Sequence, residues 1–418
     1  MAQRPKSSKI APTLFKATRN PAPREKSSIE FDRKRAFELV MDLMAIPGSS
    51  GHEAAVASYI TSKLRQAGAP AAAIRSDTAH KKSPIAGQVG NLVFRMPGSL
   101  RGGRRMLMAH MDTVPICVGS RPKRKGNVVQ SADPRTGLGA DNRAGVAVVL
   151  NTALEIFKRK LPHPPLVFFW PVQEEVGLQG ARCARVRLLA RPKLAFNFDG
   201  GTAEKLTVAA TGGYRMQIDV QGVAAHAGGA PEQGVSAIAI ASLAIARLVR
   251  DGWHGLVEKD GRTGTANVGV VRGGLATNVV TDHVELHAEA RSHDAKFRGQ
   301  IVSAIQQAFR DAAAEVRSAS GKRGKVRFDG RTDYEAFKLA DDDPSVLAAE
   351  RAVRSVGLKP IRAVSNGGLD ANWMTAHGIP TVSLGCGQQN IHTTSECLDI
   401  AAFERACQIA LHLATDVE

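Results

Sequence analysis

His110, Asp112, Asp141, Glu174, Glu175 and Asp199 fall within one 90-residue stretch, each at the end of an apolar or Gly-bounded segment, and His392 stands far downstream. Imidazole and carboxylate together suit divalent ions of intermediate softness, and two such ions sharing a carboxylate polarise a carbonyl while making hydroxide near neutral pH. The set reads as a two-metal hydrolase centre that His392 would complete. In Met108-Ala109-His110-Met111-Asp112 the aspartate is spaced to hold the second ring nitrogen of His110, which fixes the tautomer of a metal-bound imidazole. Alone, that pair is an ordinary strand-end histidine, and Asp141 alone in Gly139-Ala140-Asp141-Asn142-Arg143 is an ordinary helix cap. The adjacent Glu174 and Glu175 are sharper, because two carboxylates directly after Leu166-Val167-Phe168-Phe169-Trp170 repel unless cations or protons compensate them. Neighbouring side chains on extended backbone diverge, so one can bind metal while the other holds the attacking water. Two divalent cations against Asp141, Glu175 and Asp199 leave one positive charge, which a bound hydroxide would neutralise.

The elements that must position these residues follow from hydrophobic period. Apolar runs at 104–110, 165–172, 194–198 and 379–384 suit strands buried on both faces, as in a parallel sheet covered by helices. Helical spacing over 34–46, 52–66 and 142–160 supplies the cover, with Asp141 or Asn142 able to cap the last. His110, Glu174, Glu175 and Asp199 then lie at carboxyl ends of strands, where open α/β sheets bind ligands. Around Thr207 the texture changes to alternating strands near 214–220, 266–271, 283–290 and 325–331, with helices near 235–250 and 295–316. That β-α-β-β-α-β order is the split βαβ, ferredoxin-like arrangement. The expectation is an α/β protein: a helix-covered, mostly parallel catalytic domain over 31–206 and 332–418, discontinuous around an inserted α+β lid or dimerisation domain at 207–331.

The 418 residues, 43% hydrophobic, exceed one ordinary core. No run of 18 apolar residues occurs, so no transmembrane helix is expected. Five scattered cysteines without a C-x-x-C pair argue against a disulfide framework and a thiolate zinc site, which makes a cytoplasmic location the default. Residues 1–30 carry seven Lys/Arg against two acids and read as a disordered basic tail; Pro12, Pro21 and Pro23 break the helix that a transit peptide would use. The formal charge of +17 raises nucleic-acid binding, but the body's basic residues are scattered and only 5% of residues are aromatic, so few bases could stack. No H-E-x-x-H, P-loop, G-x-S-x-G or G-x-G-x-x-G competes.

In order along the chain, HMDTVP, GADNRAG, QEEVGLQGA, NFDGG, VAAHAG, GGLATNVV, SNGGLDAN and IHTTSE resemble the peptidase T branch of the zinc exopeptidases, a superfamily that includes carboxypeptidase G, the dipeptidases, aminoacylase and succinyl-diaminopimelate desuccinylase. The resemblance covers roughly residues 34–415. It implies two divalent ions, zinc foremost with cobalt or manganese as alternatives, one held by His110 and Asp199, the other by Glu175 and His392, with Asp141 bridging and Asp112 orienting His110. Glu174 would be the general base for a metal-bridging water and would later protonate the leaving amine. His226 would reach the substrate as an oxyanion group, often from a partner subunit, while Asn278, Arg291, Asn366, Gly367 and Gly368 would contact the substrate. A homodimer through the inserted domain is implied, without nucleic-acid or membrane partners. Asp199, rather than Glu, tilts the expectation toward an aminopeptidase acting on short peptides such as tripeptides. The chain departs from the family in reading Asp141-Asn142-Arg143 where Asp-Asp-Lys is frequent; Asn142 keeps size and hydrogen bonding, so activity is expected. A hydrolase of N-acyl or N-carbamoyl amino acids would use the same metals, and a polyanion binder on an inactive hydrolase scaffold is the contrasting alternative.

Overall fold

The computed structural model describes residues 30–415; the expected basic tail lies outside them except for Glu30. The largest sheet has nine strands. Its centre is the parallel set Leu166–Trp170, Arg105–Met108, Leu194–Phe198 and Thr381–Leu384. These are the four strands expected from apolar runs, and their burial explains the runs. Met106, Met108, Val167 and Phe169 pack on one face with Met374 and Ile379, while Leu107, Phe168, Trp170 and Phe196 pack on the other with residues of the helices Arg33–Ala45, Ala140–Arg159 and Ile400–Thr415. With successive side chains on opposite faces, only a continuously apolar strand satisfies both, and each fully buried side chain contributes roughly 1.5–3 kcal/mol. Antiparallel strands flank the parallel centre: Leu92–Met96 and Ile74–Ser76 on one side, Lys205–Ala210 and Phe337–Lys338 on the other, with Ile361–Ser365 beside Lys205–Ala210 in parallel.

A five-stranded antiparallel sheet runs in the order Gly255–Lys259, Arg262–Gly273, His283–Ser292, Gly212–Gln221, Lys325–Tyr334. The helices Ala237–Arg250 and Ala295–Glu315 cover one face over a core of Met216, Ile218, Val220, Leu286, Phe297 and Ile301. Leaving aside the first strand, the order is that of a split βαβ unit. The edge strand Gly255–Lys259 was not anticipated. It is joined to its neighbour through Asp260 and Gly261, with φ of 50° and 72°, the Asp-Gly signature of a tight hairpin.

A third sheet, also unanticipated, pairs Gln388–Gln389, Cys397–Asp399, Val128–Ser131 and Pro122–Lys125. Its strands have two to four residues and no apolar alternation, so they carry no periodic signal. It matters because the loop between its first two strands holds His392 and Glu396. No helix among the described residues is long and apolar enough to cross a membrane.

Candidate metal centre

His110 follows the strand Arg105–Met108, whose pairing continues as the Ala109 and Met111 amides donate to the Phe169 and Pro171 carbonyls. The ring is 1% exposed, with Nδ1 3.3 Å from Asp112 Oδ1 and Nε2 3.3 Å from Asp141 Oδ1. Asp112, wholly buried, does more than face the ring. Its Oδ1 accepts from the Glu174 amide at 2.9 Å, and its Oδ2 accepts from the Glu175 amide at 3.2 Å and the Ser50 hydroxyl at 2.6 Å. One carboxylate thus joins the ends of two neighbouring strands. Burial works against the charge on Asp112, but the His110 ring and these donors outweigh it and hold its pKa below the usual carboxylate value.

The turn carrying Glu174 and Glu175 has Gln173 at φ 56°, and Glu53 fixes it by accepting from the Gln173 and Gly51 amides. Asp141 sits at the start of Ala140–Arg159, where it and Asn142 depart from helical backbone angles. Asn142 is the cap, its Oδ1 accepting from the Gly145 amide at 3.1 Å. The turn is held from outside the segment by Glu396, 1% exposed, which accepts from the amides of Leu138, Gly139 and Asp141 at 2.8, 2.7 and 3.0 Å. Because Glu396 and His392 share one loop, the anchor of Asp141 also delivers His392. Its Nε2 lies 3.3 Å from Asp141 Oδ2 and 3.0 Å from Glu175 Oε2. Asp199 closes the group at the end of Leu194–Phe198, its amide donating to the Leu384 carbonyl.

Ligand atoms of His110, Asp141 and Glu175 lie within 4.8 Å of one another, as do those of His110, Glu174 and Asp199. Asp141 has one oxygen toward each histidine. Nitrogen-to-oxygen separations of 3.0–3.3 Å are those of neighbouring ligands around an ion held about 2.1 Å from each. The electrostatics agree. Burial pushes Glu174 well above its usual value, with Asp370, Glu175 and Asp199 adding to the shift against the pull of His110. Burial and the Asp141 charge push Asp199 up to about 7, and burial pushes Glu175 up despite His392. Asp141 is the exception: contacts with His110 and His392 overcome burial and hold it at about 2, while Asp141 and Glu175 push His392 up to about 10. Such a crowd of carboxylates needs cations, and the buried Asp141 Oδ1 and His110 Nδ1 have no aligned hydrogen-bond partner. The donor set fits divalent ions.

The remaining expected residues lie elsewhere. His226 and Asn278 sit together, the Ala227 amide donating to the Asn278 carbonyl, on exposed loops beside the five-stranded sheet, and His226 Nδ1 accepts from the Gly228 and Gly229 amides. Arg291 is tied in two bonds to Glu289, 3.0 Å each. The Asn366 side chain meets His293, and the Gly367 amide donates to Ser365. Gly368 has a packing reason: a Cβ there would come within 2.5 Å of the Tyr334 ring. Among the described residues none of the six has a hydrogen bond or ion pair to the acid cluster. Glu396, Glu53, Ser50 and Asp370 went unassigned from sequence, although Glu396 and Asp370 stand inside IHTTSE and SNGGLDAN. Asp370 is 1% exposed, both oxygens lack a hydrogen-bond partner, and burial pushes it up to about 8.

The profile described as peptidase family M20/M25/M40 matches residues 106–416. The uncharacterized protein YqjE of Bacillus subtilis is 32% identical over 382 residues, which are 91% of this chain and 97% of that protein. The crystal structure of a tripeptidase from Staphylococcus aureus is similar at a TM-score of 0.82 and 31% identity, covering 92% of this chain and 98% of that one. That of aminopeptidase PepT from Bacillus cereus is similar at 0.78 and 32%, covering 92% and 98%.

Proposed function

Since this chain belongs to peptidase family M20/M25/M40 and is therefore a metal-dependent peptide hydrolase, we propose that it is a two-metal exopeptidase that removes the N-terminal residue from short peptides, tripeptides foremost. The observation that carries this reading is Asp141 placed between two histidines, with Glu174, Glu175 and Asp199 around the same space. We assign His110 and Asp199 to one ion, His392 and Glu175 to the other and Asp141 to both, with zinc as the native metal. Bound ions supply Lewis acidity to the scissile carbonyl and to the attacking water. The protein residues do the rest. Asp112, 3.3 Å from His110 Nδ1, orients the ring and favours the tautomer that leaves Nε2 to ligate. Glu174, its backbone pinned by Asp112, takes the proton of the attacking water and returns it to the leaving amine. A raised carboxyl pKa suits the second of these tasks. The 207–331 segment serves as lid and dimerisation surface in a cytoplasmic homodimer, presenting His226 to the developing oxyanion and Asn278 and Arg291, with Asn366, Gly367 and Gly368 from the catalytic side, to the peptide.

The test is metal content together with hydrolysis of tripeptides, dipeptides and N-acyl amino acids by wild type and Glu174→Gln. The expected result is metal retained in both proteins, tripeptides preferred by wild type, and kcat lower in the variant by roughly 10²–10⁴. Activity confined to blocked amines would favour the N-acyl or N-carbamoyl hydrolase reading and sink the aminopeptidase one.

A further inference from the structure

Arg143 stands two residues past Asp141 and takes no part in the chemistry assigned above, yet it is among the largest side chains wholly enclosed by the fold. A buried charge needs partners, and these show what it does. Its Nη2 donates to the carbonyls of Gly48 at 3.1 Å and Ile46 at 3.4 Å, where the chain leaves the helix Arg33–Ala45. A Cβ on Gly48 would come within 2.6 Å of that nitrogen, so the guanidinium fills the space that a side chain there would need. Nε and Nη1 are buried without a hydrogen-bond partner, and the charges that favour the guanidinium against its burial are foremost those of Asp112 and Glu53.

The segment that Arg143 holds is the one that braces Asp112. The Gly48 carbonyl accepts a further bond from the Thr113 amide at 3.2 Å, and Ser49 is bridged to Thr113 in parallel. The Ser50 hydroxyl then reaches Asp112 Oδ2 at 2.6 Å, and the Gly51 amide donates to Glu53, which also accepts from the Gln173 amide. Asp112 in turn stands 3.3 Å from His110 Nδ1 and accepts from the Glu174 and Glu175 amides. The cluster is drawn from separate elements: His110 from one strand end, Glu175 from the turn after the next strand, Asp141 from a helix start. Asp112 joins the first two. The path from Arg143 through Gly48 and Ser50 to Asp112 joins the third to them.

We propose that Arg143 is a positioning residue for the metal centre: rooted in the helix that carries Asp141, it holds segment 46–51 so that Ser50 fixes the Asp112 carboxylate and, through it, the plane of the His110 ring. This rests on the two-metal peptidase reading of the same centre. A carboxylate behind an imidazole orients it only if the carboxylate is itself held, and a hydroxyl holds it only from a fixed loop. Because Nη2 alone serves both carbonyls, one charged donor nitrogen suffices, and lysine should stand in for arginine where methionine cannot.

The probe is cobalt(II), titrated into metal-free wild type, Arg143→Met, Ser50→Ala, the double variant and Arg143→Lys, with the visible absorption of bound cobalt reporting affinity and ligand geometry together. Arg143→Met and Ser50→Ala should each weaken one of the two cobalt equivalents by roughly 10–100-fold and change its band shape. The double variant should bind no more weakly than Arg143→Met, since a released segment no longer presents the hydroxyl. Arg143→Lys should recover most of the loss. Arg298→Met removes a comparably buried arginine that has no bond to the cluster among the described residues; it should lower Tm and leave cobalt binding as in wild type. A folded Arg143→Met with wild-type affinity and spectrum, or losses that add in the double variant, overturns the proposal. Should Arg143→Met not fold, Gly48→Ala is read in its place, because its Cβ pushes Nη2 off the carbonyl without removing the charge. The same weakening there supports the path, and wild-type cobalt binding overturns it. Hydrolysis of trialanine by cobalt-loaded wild type separates this role from the peptidase reading. If trialanine is not cleaved while the cobalt results hold, that reading falls and the positioning role stands; if it is cleaved and Arg143→Met binds cobalt as wild type does, the reverse holds.

Discussion

Glu53 shows how far the demands of the metal centre reach. It is wholly buried behind the Glu174–Glu175 turn, and burial with the nearby Asp112 charge pushes its pKa from an ordinary 4.5 up to about 7. Its Oε1 serves two amides, whereas Oε2 is buried without a partner. A carboxyl that loses its proton near 4.5 when unfolded, yet keeps it to about 7 when folded, makes the native state progressively less favourable as pH climbs between those values, with the full cost present above the upper one. Glutamine retains the accepting oxygen and never ionises. Glu53→Gln should therefore gain on wild type as pH rises, and thermal melts of both metal-free proteins between about pH 5 and 8 measure it. A difference in Tm that stays flat over that range would show that burial of a charge at Glu53 is not what limits stability there.

Elements made of long apolar or alternating runs could be read from the sequence because burial on two faces, or on one, leaves a periodic trace in residue type. Met106 and Met108 against Leu107 is the first case, and the alternation along Gly212–Gln221 is the second. The two short strands at residues 122–131 and the pair at 388–399 leave no such trace, because backbone pairing alone defines them. Yet that sheet holds the loop of His392 and Glu396, so motif order singled out the proposed ligand while missing its support. A buried acid whose partners are some 258 residues away has no local signature. Glu396 can be tested as the support. With Oε2 accepting two amides and Oε1 a third, Glu396→Gln turns an NH₂ group toward at least one N–H donor whichever way the amide is flipped. Leaving a buried donor unmatched costs about 1–3 kcal/mol. The variant should unfold at a lower denaturant midpoint and lose metal more readily on dialysis, since Asp141 and His392 move together. An unchanged midpoint with full metal retention would mean that the loop is held by something else.

The whole molecule turns on how its two large sheets are joined. The strand Lys205–Ala210 of one leads into Gly212–Gln221 of the other with Thr211 alone between them, and the chain returns from Lys325–Tyr334 to Phe337–Lys338 across Glu335 and Ala336. A joint of three residues leaves little free backbone, and polar bonds hold what there is. Asn372 Nδ2 donates to the carbonyls of Thr211 and Glu335 at 3.0 and 2.7 Å, one on each crossing, and Arg298 pairs with Glu335 at 2.8 Å. The Tyr334 ring fills the space that side chains at Gly213 and Gly368 would need. Because, among the described residues, Asn372 alone bonds a carbonyl on each crossing, it is the residue whose loss should release the joint. Asn372→Ala strips both carbonyls of a donor and removes the acceptor for the Leu369 amide. Amide hydrogen exchange should then accelerate at residues 211–213 and 334–336 while Arg105–Met108 and Leu166–Trp170 keep wild-type protection, because opening at the joint does not require the central strands to separate. Acceleration spread evenly over both sheets would instead make Asn372 a contributor to global stability, and the joint would have no mobility of its own.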